Sequence, residues 1–337
     1  MAQIAEELRV KARREGLKLA WKGRLQSWVG KAFIYLVLFD ISFVFLSPVI
    51  YMVTTSLKTV ADVLDPTIYW VPSGFNLDNF TLSWKALKYF PTWSAIQQAW
   101  TSGGIVALYT LLKTESAFFR STIIAVLAAI GQVISCSLVG YGFARTKFPG
   151  REALFLLAMF TFLVPPQTII IPLFIVYKQL HWIDTYRPFI VPAFFANGLR
   201  GAIFIFIFRQ FFRGLPWELE DAARIDGAGW LTMYWRVMLP LAKPAIVVSF
   251  LFSLVWHWND YFEPAIYLMN QENFTLPLRL SIFWTALNEV TGGQASRFFN
   301  EPLIMAASFL VIVPPLILYV FTQRLFVESV ERTGLVE

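Results

Sequence analysis

The sequence predicts an all-α membrane protein with six transmembrane helices. Three observations predict it. Of 337 residues, 57% are hydrophobic and only 15% are charged, against roughly 25% charged in an average soluble domain. The apolar residues gather in six stretches, 32–57, 121–144, 153–177, 188–212, 244–268 and 302–323. At 1.5 Å per residue each is long enough to cross about 30 Å of hydrocarbon as a helix. Within hydrocarbon the backbone must satisfy its own hydrogen bonds, which a helix does. The uninterrupted apolar runs exclude the alternating pattern of a transmembrane barrel.

Residues 1–31 carry eight Lys/Arg against Glu6, Glu7 and Glu15. Such an excess just ahead of the first span (32–57) marks a cytoplasmic segment. Ile4, Leu8, Leu17, Trp21, Leu25 and Trp28 recur among these bases at roughly helical spacing. The segment therefore reads as an amphipathic helix at the inner membrane surface. It is too polar and the following run too long for a cleavable signal. Residues 58–118 form the largest outer piece, with turn formers at Asp65-Pro66 and Pro72-Ser73-Gly74 and a short apolar run near 104–112. The remaining spans occupy 119–324, and 325–337 form a tail. With the N-terminus inside, inner segments carry 18 Lys/Arg and outer ones 10, so both termini are expected in the cytoplasm.

Single residues exclude other classes. One cysteine, Cys136, permits no intrachain disulfide, and two histidines, His181 and His257, make no metal cluster. No soluble nucleic-acid-binding module accompanies the net charge of +6. Cys136 and His257 read as packed residues within spans. Asn79-Phe-Thr81 and Asn273-Phe-Thr275 match the short glycosylation pattern, a weak signal.

The informative segment is 213–243, a loop between spans four and five on the cytoplasmic side. Pro216 suits a helix start. Glu218, Glu220 and Asp221 follow in the first turns, where the helix dipole favours acids. Ala222 and Ala223 offer a smooth surface. Asp226-Gly227 suits a helix end needing positive φ. Leu239-Pro240 and Pro244 then turn the chain back into the membrane. A short exposed helix over 217–226 is expected, held between two spans.

These residues resemble the permease subunits of binding-protein-dependent ABC importers. The family hallmark is Glu-Ala-Ala, three residues, Gly, nine residues, Ile, one residue, Leu-Pro. Here Asp221-Ala222-Ala223, Gly227, Val237 and Leu239-Pro240 stand at those spacings, with Asp for Glu and Val for Ile. Leu219 through Ala228 resembles the carbohydrate branch, the MalG-like, maltose-type permeases. So do Trp256-His-Trp258-Asn259-Asp260, Phe274-Thr275-Leu276-Pro277 and Gln323-Arg-Leu-Phe-Val327. The resemblance runs from span one onward and fails in about 84–115, an apparent insertion, and around Asn197–Gly201.

The resemblance implies that the loop helix is a coupling helix, docking an ATPase subunit through Glu218, Glu220, Asp221, Ala222, Ala223, Asp226, Gly227, Leu239 and Pro240. It implies a second permease, two ABC ATPases and an extracytoplasmic solute-binding protein received near Phe274–Pro277. It places the chain in a prokaryotic cytoplasmic membrane. This chain is then no enzyme and holds no cofactor; ATP and Mg belong to the ATPases. No Gly-x4-Gly-Lys-Ser/Thr phosphate loop occurs, and Thr291-Gly-Gly-Gln294 reads as a turn. The expected cargo is a carbohydrate, in particular an oligosaccharide. A polyol or glycerol phosphate is the alternative within this class, and an ion-coupled secondary transporter the alternative outside it.

Trp256, Trp258, Asn259 and Asp260 combine aromatic faces with amide and carboxylate edges, as a sugar ring requires. They read either as pathway lining or as an aromatic belt. Prolines 165, 166, 172, 264, 314 and 315 lie in spans three, five and six, where kinks often face a cavity. Counting depth at 1.5 Å per residue puts Asp40 of span one level with Arg200 of span four. The expectation is that they pair, or that Asn197, Gly198 and Gly201 open span four and turn Arg200 into the translocation path.

Overall fold

The computed structural model describes residues 2–198, 200–293 and 300–334, with side chains from residue 28 to residue 324 of these. Every regular element among them is helical. The first is α1, Ala2–Ser56, one continuous helix from the basic segment through the first span. The amphipathic face expected over 2–30 falls largely on side chains outside the description, as does the tail, 325–337.

Three helices are long and apolar enough to cross a membrane by themselves: 28–56, 117–145 and 301–324. Outside the membrane-length part of α1, the outer piece carries α2 (Val60–Leu64), α3 (Asp78–Ala86) and α4 (Trp93–Glu115). Lys58 and Asn79 secure its start: Asn79 Nδ2 donates to the carbonyls of Ser56 and Lys58 at 2.9 Å. Asn79 is thus a buried structural residue rather than a glycan acceptor.

The centre of the fold is α5, Ala117–Arg145. Its small residues, among them Ala125, Ala128, Ala129, Ser135 and Ser137, are buried, and small side chains let membrane helices approach closely. Three of the other five apolar stretches depart from the single helix expected of each. The third is bent by 97° between α6 (Arg151–Leu163) and α7 (Pro166–Gln179). Pro165 and Pro166 supply no amide donors there, so the ladder ends. Pro172, by contrast, lies inside continuous α7.

The fourth stretch is the clearest correction. It divides into α8 (Arg187–Ile190), a 3₁₀ turn at Pro192–Phe195, and α9 (Gly201–Gly214). Ala196 and Arg200 both take left-handed backbone. Gly201 is required by close approach, since a Cβ there would lie 2.5 Å from the Ala196 oxygen. The break is chemically supported: Ser135 Oγ on α5 donates to the Ala193 carbonyl at 2.6 Å, beside the 3.4 Å bond that carbonyl accepts from Ala196 N. Irregular backbone is tolerated at membrane depth only where such partners exist.

After α9 come α10 (Glu218–Ile225), α11 (Trp230–Met233), a π-helical turn at Tyr234–Met238 and α12 (Leu239–Leu241). A 79° bend at Ala242 leads into α13, Lys243–Asn259, with Pro244 in its first turn as a helix start prefers. The fifth stretch then breaks at Asp260, whose Oδ1 accepts the amides of Phe262 and Glu263 at 3.1 and 3.5 Å. This carboxylate starts α14, Phe262–Tyr267. Short α15 (Leu276–Ser281) and α16 (Phe283–Thr291) precede α17, Glu301–Gly334, which carries Pro314 and Pro315 without a break. Gly292 and Gly293 have positive φ, the turn expected there; Gln294 lies outside the described residues.

Helix α5 packs most extensively on α9 and α13, while α1 packs on α17 and α17 on α3. Asp40 is exposed on α1 and forms no ion pair with Arg200 among the described residues. The expected pairing is therefore corrected. Depth counted along the chain brought the two level, but α1 leans on α17 rather than on α9.

Candidate functional site: the loop between α9 and α13

Helix α10 begins one residue later than expected and ends one earlier. Its C-terminus is closed by two backbone bonds, Gly227 N to Arg224 O at 3.0 Å and Ala228 N to Ala223 O at 2.9 Å. This is a Schellman end, which needs left-handed backbone at its penultimate residue. Gly227 provides it with φ +78°.

The helix has two unlike faces. Glu220 and Ala223 are buried. Leu219, Asp221, Ala222, Ile225 and Asp226 are exposed, Ile225 to 86%. Two expected docking residues are therefore corrected: Glu220 and Ala223 point into this chain and anchor the helix. Glu220 Oε1 lies 3.5 Å from Arg145 Nε, both side chains 1% exposed, and its Oε2 lies 3.5 Å from Arg224 Nη2. Arg145 closes α5. Its Nε donates to the Phe212 carbonyl at 2.8 Å, its Nη2 reaches the Phe212 and Leu215 carbonyls, and its guanidinium stacks 4.3 Å from the Trp217 ring centroid. One cation thus joins the ends of α5 and α9 to the start of the loop helix. Burial pushes the Glu220 carboxyl above the ordinary carboxylate range, with Arg145 and Arg224 pulling it partly back.

The far side of the loop is equally fixed. Tyr141 packs on Phe212, Trp230 and Tyr234 at 5.3 to 5.6 Å between ring centroids. Tyr234 Oη and Ser137 Oγ lie 2.7 Å apart. Val237 and Leu239 pack partly buried against this cluster, while Pro240 is exposed. A second ion pair braces the neighbouring turn: Arg209 Nη2 meets Glu152 Oε2 at 2.6 Å and lies over the Phe155 ring.

The residues expected to line a pathway separate. Trp256 lies under Arg200, whose guanidinium carbon is 4.6 Å from the ring centroid, with Phe204 and Phe252 alongside. Trp258 points elsewhere: it is buried, donates Nε1 to Val311 O at 3.1 Å and packs edge-on with Phe118. It is a core residue of the outer half, since residues two apart on a helix do not share a face. Asn259 is exposed, and Asp260 is occupied in starting α14. His257 is buried with Nδ1 2.8 Å from Ser253 O, the packed role expected of it.

In the outer loop, Thr275 and Leu276 are buried rather than presented to a partner. Leu276 N donates to Ser121 Oγ, and Leu276 packs in the outer core. Phe274 and Pro277 are half-buried, and the exposed crest is Met269–Glu272. Asp184 holds that crest through the amides of Met269 and Asn270 at 3.0 Å. Sequence reading missed Asp184, Arg120 and Arg279, each of which reaches at least one backbone group 85 or more residues away and so leaves no local pattern. No group of three potential metal ligands occurs among the described residues.

An all-α chain of apolar helices, several broken at depth, with a helical loop anchored between two of them, has the build of a membrane transport subunit. The chain belongs to the family described as binding-protein-dependent transport system inner membrane component, whose model matches residues 136–332. It is 28% identical over 296 residues to the arabinooligosaccharides transport system permease protein AraQ of Halalkalibacterium halodurans, covering 87% of this chain and 92% of that one. It is 27% identical over 288 residues to the sn-glycerol-3-phosphate transport system permease protein UgpE of Brucella suis, covering 85% and 90%. Its fold is similar to a chain in the crystal structure of a bacterial ABC transporter involved in the import of the acidic polysaccharide alginate. That likeness has a TM-score of 0.63 at 22% identity and covers 87% of this chain and 95% of the other.

Proposed function

We propose that this chain is a permease subunit of an ABC importer that carries a carbohydrate across the cytoplasmic membrane of a prokaryote. The observation that carries the reading is the two-faced helix α10. Its Glu220–Ala223 face is locked to α5 and α9, and its Leu219–Asp221–Ala222–Ile225 face is open. A rigid rod with a free apolar and acidic face suits a groove in a partner ATPase and transmits that partner's movement to the spans. The complete assembly would contain a second permease, two ATPases binding ATP and Mg, and an external binding protein. Six passes with both termini inside fit the Lys/Arg asymmetry, the broken third, fourth and fifth stretches each counting as one pass.

Relatives named for arabinooligosaccharides and an importer of alginate favour a carbohydrate. Relatives named for sn-glycerol-3-phosphate favour the second reading, a glycerol phosphate or polyol cargo. The test is affinity purification of the tagged chain from its native membrane, followed by assay of binding-protein-stimulated ATP hydrolysis. An ABC ATPase and a second permease are expected to co-purify, and Ile225→Asp to release the ATPase. Uptake by the purified chain alone, driven by an ion gradient, would replace this reading.

A further inference from the structure

The four charges of spans four and five differ in how they are compensated. Arg209 meets Glu152, and Asp260 accepts two amides of α14. Glu263, in the first turn of α14, has no ion pair and its carboxyl accepts no hydrogen bond among the described residues. Arg200 has neither kind of partner: among the described residues no carboxylate lies within 4 Å of its guanidinium and it donates no hydrogen bond. It is exposed on this chain. Fourteen residues of α9 separate it from the cytoplasmic loop, roughly 21 Å of helix, which puts it within a hydrocarbon core about 30 Å thick. A charge at that depth faces a partner or a wet cavity.

The backbone is shaped to present this side chain. Arg200 itself takes left-handed φ, +56°, immediately before α9, a conformation uncommon for a residue with a Cβ. Its guanidinium then lies on one face of Trp256, 4.6 Å from the centroid. The cation–π contact holds the guanidinium beside the ring, and a guanidinium whose N–H groups donate to nothing among the described residues is chemically suited to an oxyanion. Phe204 and Phe252 extend the aromatic wall at 5.3 and 5.8 Å from Trp256. The positive end of the α9 dipole adds the same sign of potential. A cation held against an aromatic wall offers charge to an oxyanion and an apolar face to a ring.

We propose that Arg200 and Trp256 form a seat for the oxyanion of an acidic carbohydrate, a sugar carboxylate or phosphate ester, with the sugar ring against the aromatic wall. The inference rests on the carbohydrate-importer reading and names the substrate class within it. A carboxylate of the partner permease could supply the same chemistry, so the test separates the two sources.

The whole importer, with its partner subunits and binding protein, is reconstituted in proteoliposomes. Uptake is measured for a uronate trisaccharide, its carboxyl-reduced neutral counterpart and a phosphorylated sugar, with wild type, Arg200→Gln and Arg200→Lys. Loss of a hydrogen bond to a charged group predicts that Arg200→Gln slows the charged probe that wild type carries by roughly tenfold or more, while any uptake of the neutral one changes by less than about twofold. Arg200→Lys should keep part of the preference for charge. Equal slowing of charged and neutral probes would overturn the seat, as would loss of assembly in Arg200→Gln restored in Arg200→Lys, which would assign the partner subunit as the source of the anion. Wild-type uptake of the neutral trisaccharide alone overturns the seat and leaves the carbohydrate reading standing. Uptake of no carbohydrate by an assembled, ATP-hydrolysing complex overturns both.

Discussion

Arg145 and Glu220 meet at 3.5 Å with neither side chain exposed to more than 1%, so the last residue of the central helix holds the loop helix from behind. The partners are unequally supported. Arg145 also has the Phe212 and Leu215 carbonyls and the Trp217 ring, whereas among the described residues Glu220 has only Arg145 and Arg224 as charged partners. Removing one member of a buried pair costs on the order of 3–5 kcal/mol when the other is left uncompensated. Arg145→Met is therefore expected to cost several kcal/mol, and Glu220→Gln about 1 kcal/mol, because a neutral amide still fits and Arg145 keeps its carbonyls. Thermal unfolding of both variants in detergent measures the difference. Equal losses would show that the pair acts symmetrically.

The same carboxyl sets a pH dependence. Burial raises Glu220 above its unfolded value, so proton uptake favours the folded loop. Its contribution is full below the ordinary carboxylate range and is lost as pH rises through the raised value. Wild-type melting is expected to fall across that window more than melting of Glu220→Gln. Parallel curves for the two proteins would contradict the assignment.

Gly227 closes the loop helix with φ +78°, and no neighbouring atom crowds the space a Cβ would take. The penalty of a substitution is then backbone strain alone. Gly227→Val should cost roughly 1–2 kcal/mol locally, and Gly227→Asn distinctly less, since Asn tolerates this region. Membrane insertion should persist while binding-protein-stimulated ATP hydrolysis falls in that order. Unchanged stimulation by Gly227→Val would separate the helix end from coupling.

The insertion closes on itself. Ala117 N donates to Lys88 O at 2.8 Å, Ser116 Oγ to Tyr89 O at 2.8 Å, and Lys88 pairs with Glu115 at 3.5 Å. Ala86, Leu87 and Tyr89 belong to the outer core, so removing 84–112 would gut that core. Removing 93–111 alone, with a short Gly/Ser linker, should leave the spans assembled. It would also remove one wall of the 610 Å³ surface cavity that Trp84, Lys85 and Phe90 share with α4. Weaker binding-protein docking, measured by titration against the reconstituted complex, is expected. Equal affinity would reduce α4 to a cover over that cavity.

Composition and period made the helical class legible, and the spacing from Asp221 to Pro240 made the loop legible, because a short helix, a glycine end and prolines are local chemistry. Inward and outward faces were not. Glu220 and Asp221 are neighbours of like charge, and only the position of Arg145, 75 residues earlier, decides which is buried. Trp256 and Trp258 read as one aromatic pair, and the helix period sends them to opposite sides. The break before α9 was half legible: Asn197, Gly198 and Gly201 permit it. The Ser135 hydroxyl that bonds the Ala193 carbonyl at the break comes from another helix. Depth arithmetic for Asp40 and Arg200 failed because level is not adjacency.

Arg120 and Arg279 carry the last prediction. Both are buried without a carboxylate within 4 Å among the described residues. Arg120 Nε donates to Phe274 O, and its Nη1 to the carbonyls of Lys113 and Thr114, all at 2.9 Å. Arg279 Nη2 donates to Gln271 O at 3.2 Å and its Nη1 to Ala86 O at 3.4 Å. One turn, 271–274, is thus held at each end by a different guanidinium, and the same two side chains reach the end of α4 and the end of α3. The loop crest and the insertion should then move as one body. A planar fork serves several carbonyls at once and an ammonium does not. Arg120→Lys is therefore expected to raise hydrogen exchange at 271–275 and at 113–116 together, roughly tenfold for each 1.4 kcal/mol of tethering lost. Arg279→Lys should raise exchange at 271–275 and spare 113–116. If Arg120→Lys loosens only one of the two segments, the crest and the insertion are independent, and a binding protein touching one would not sense the other.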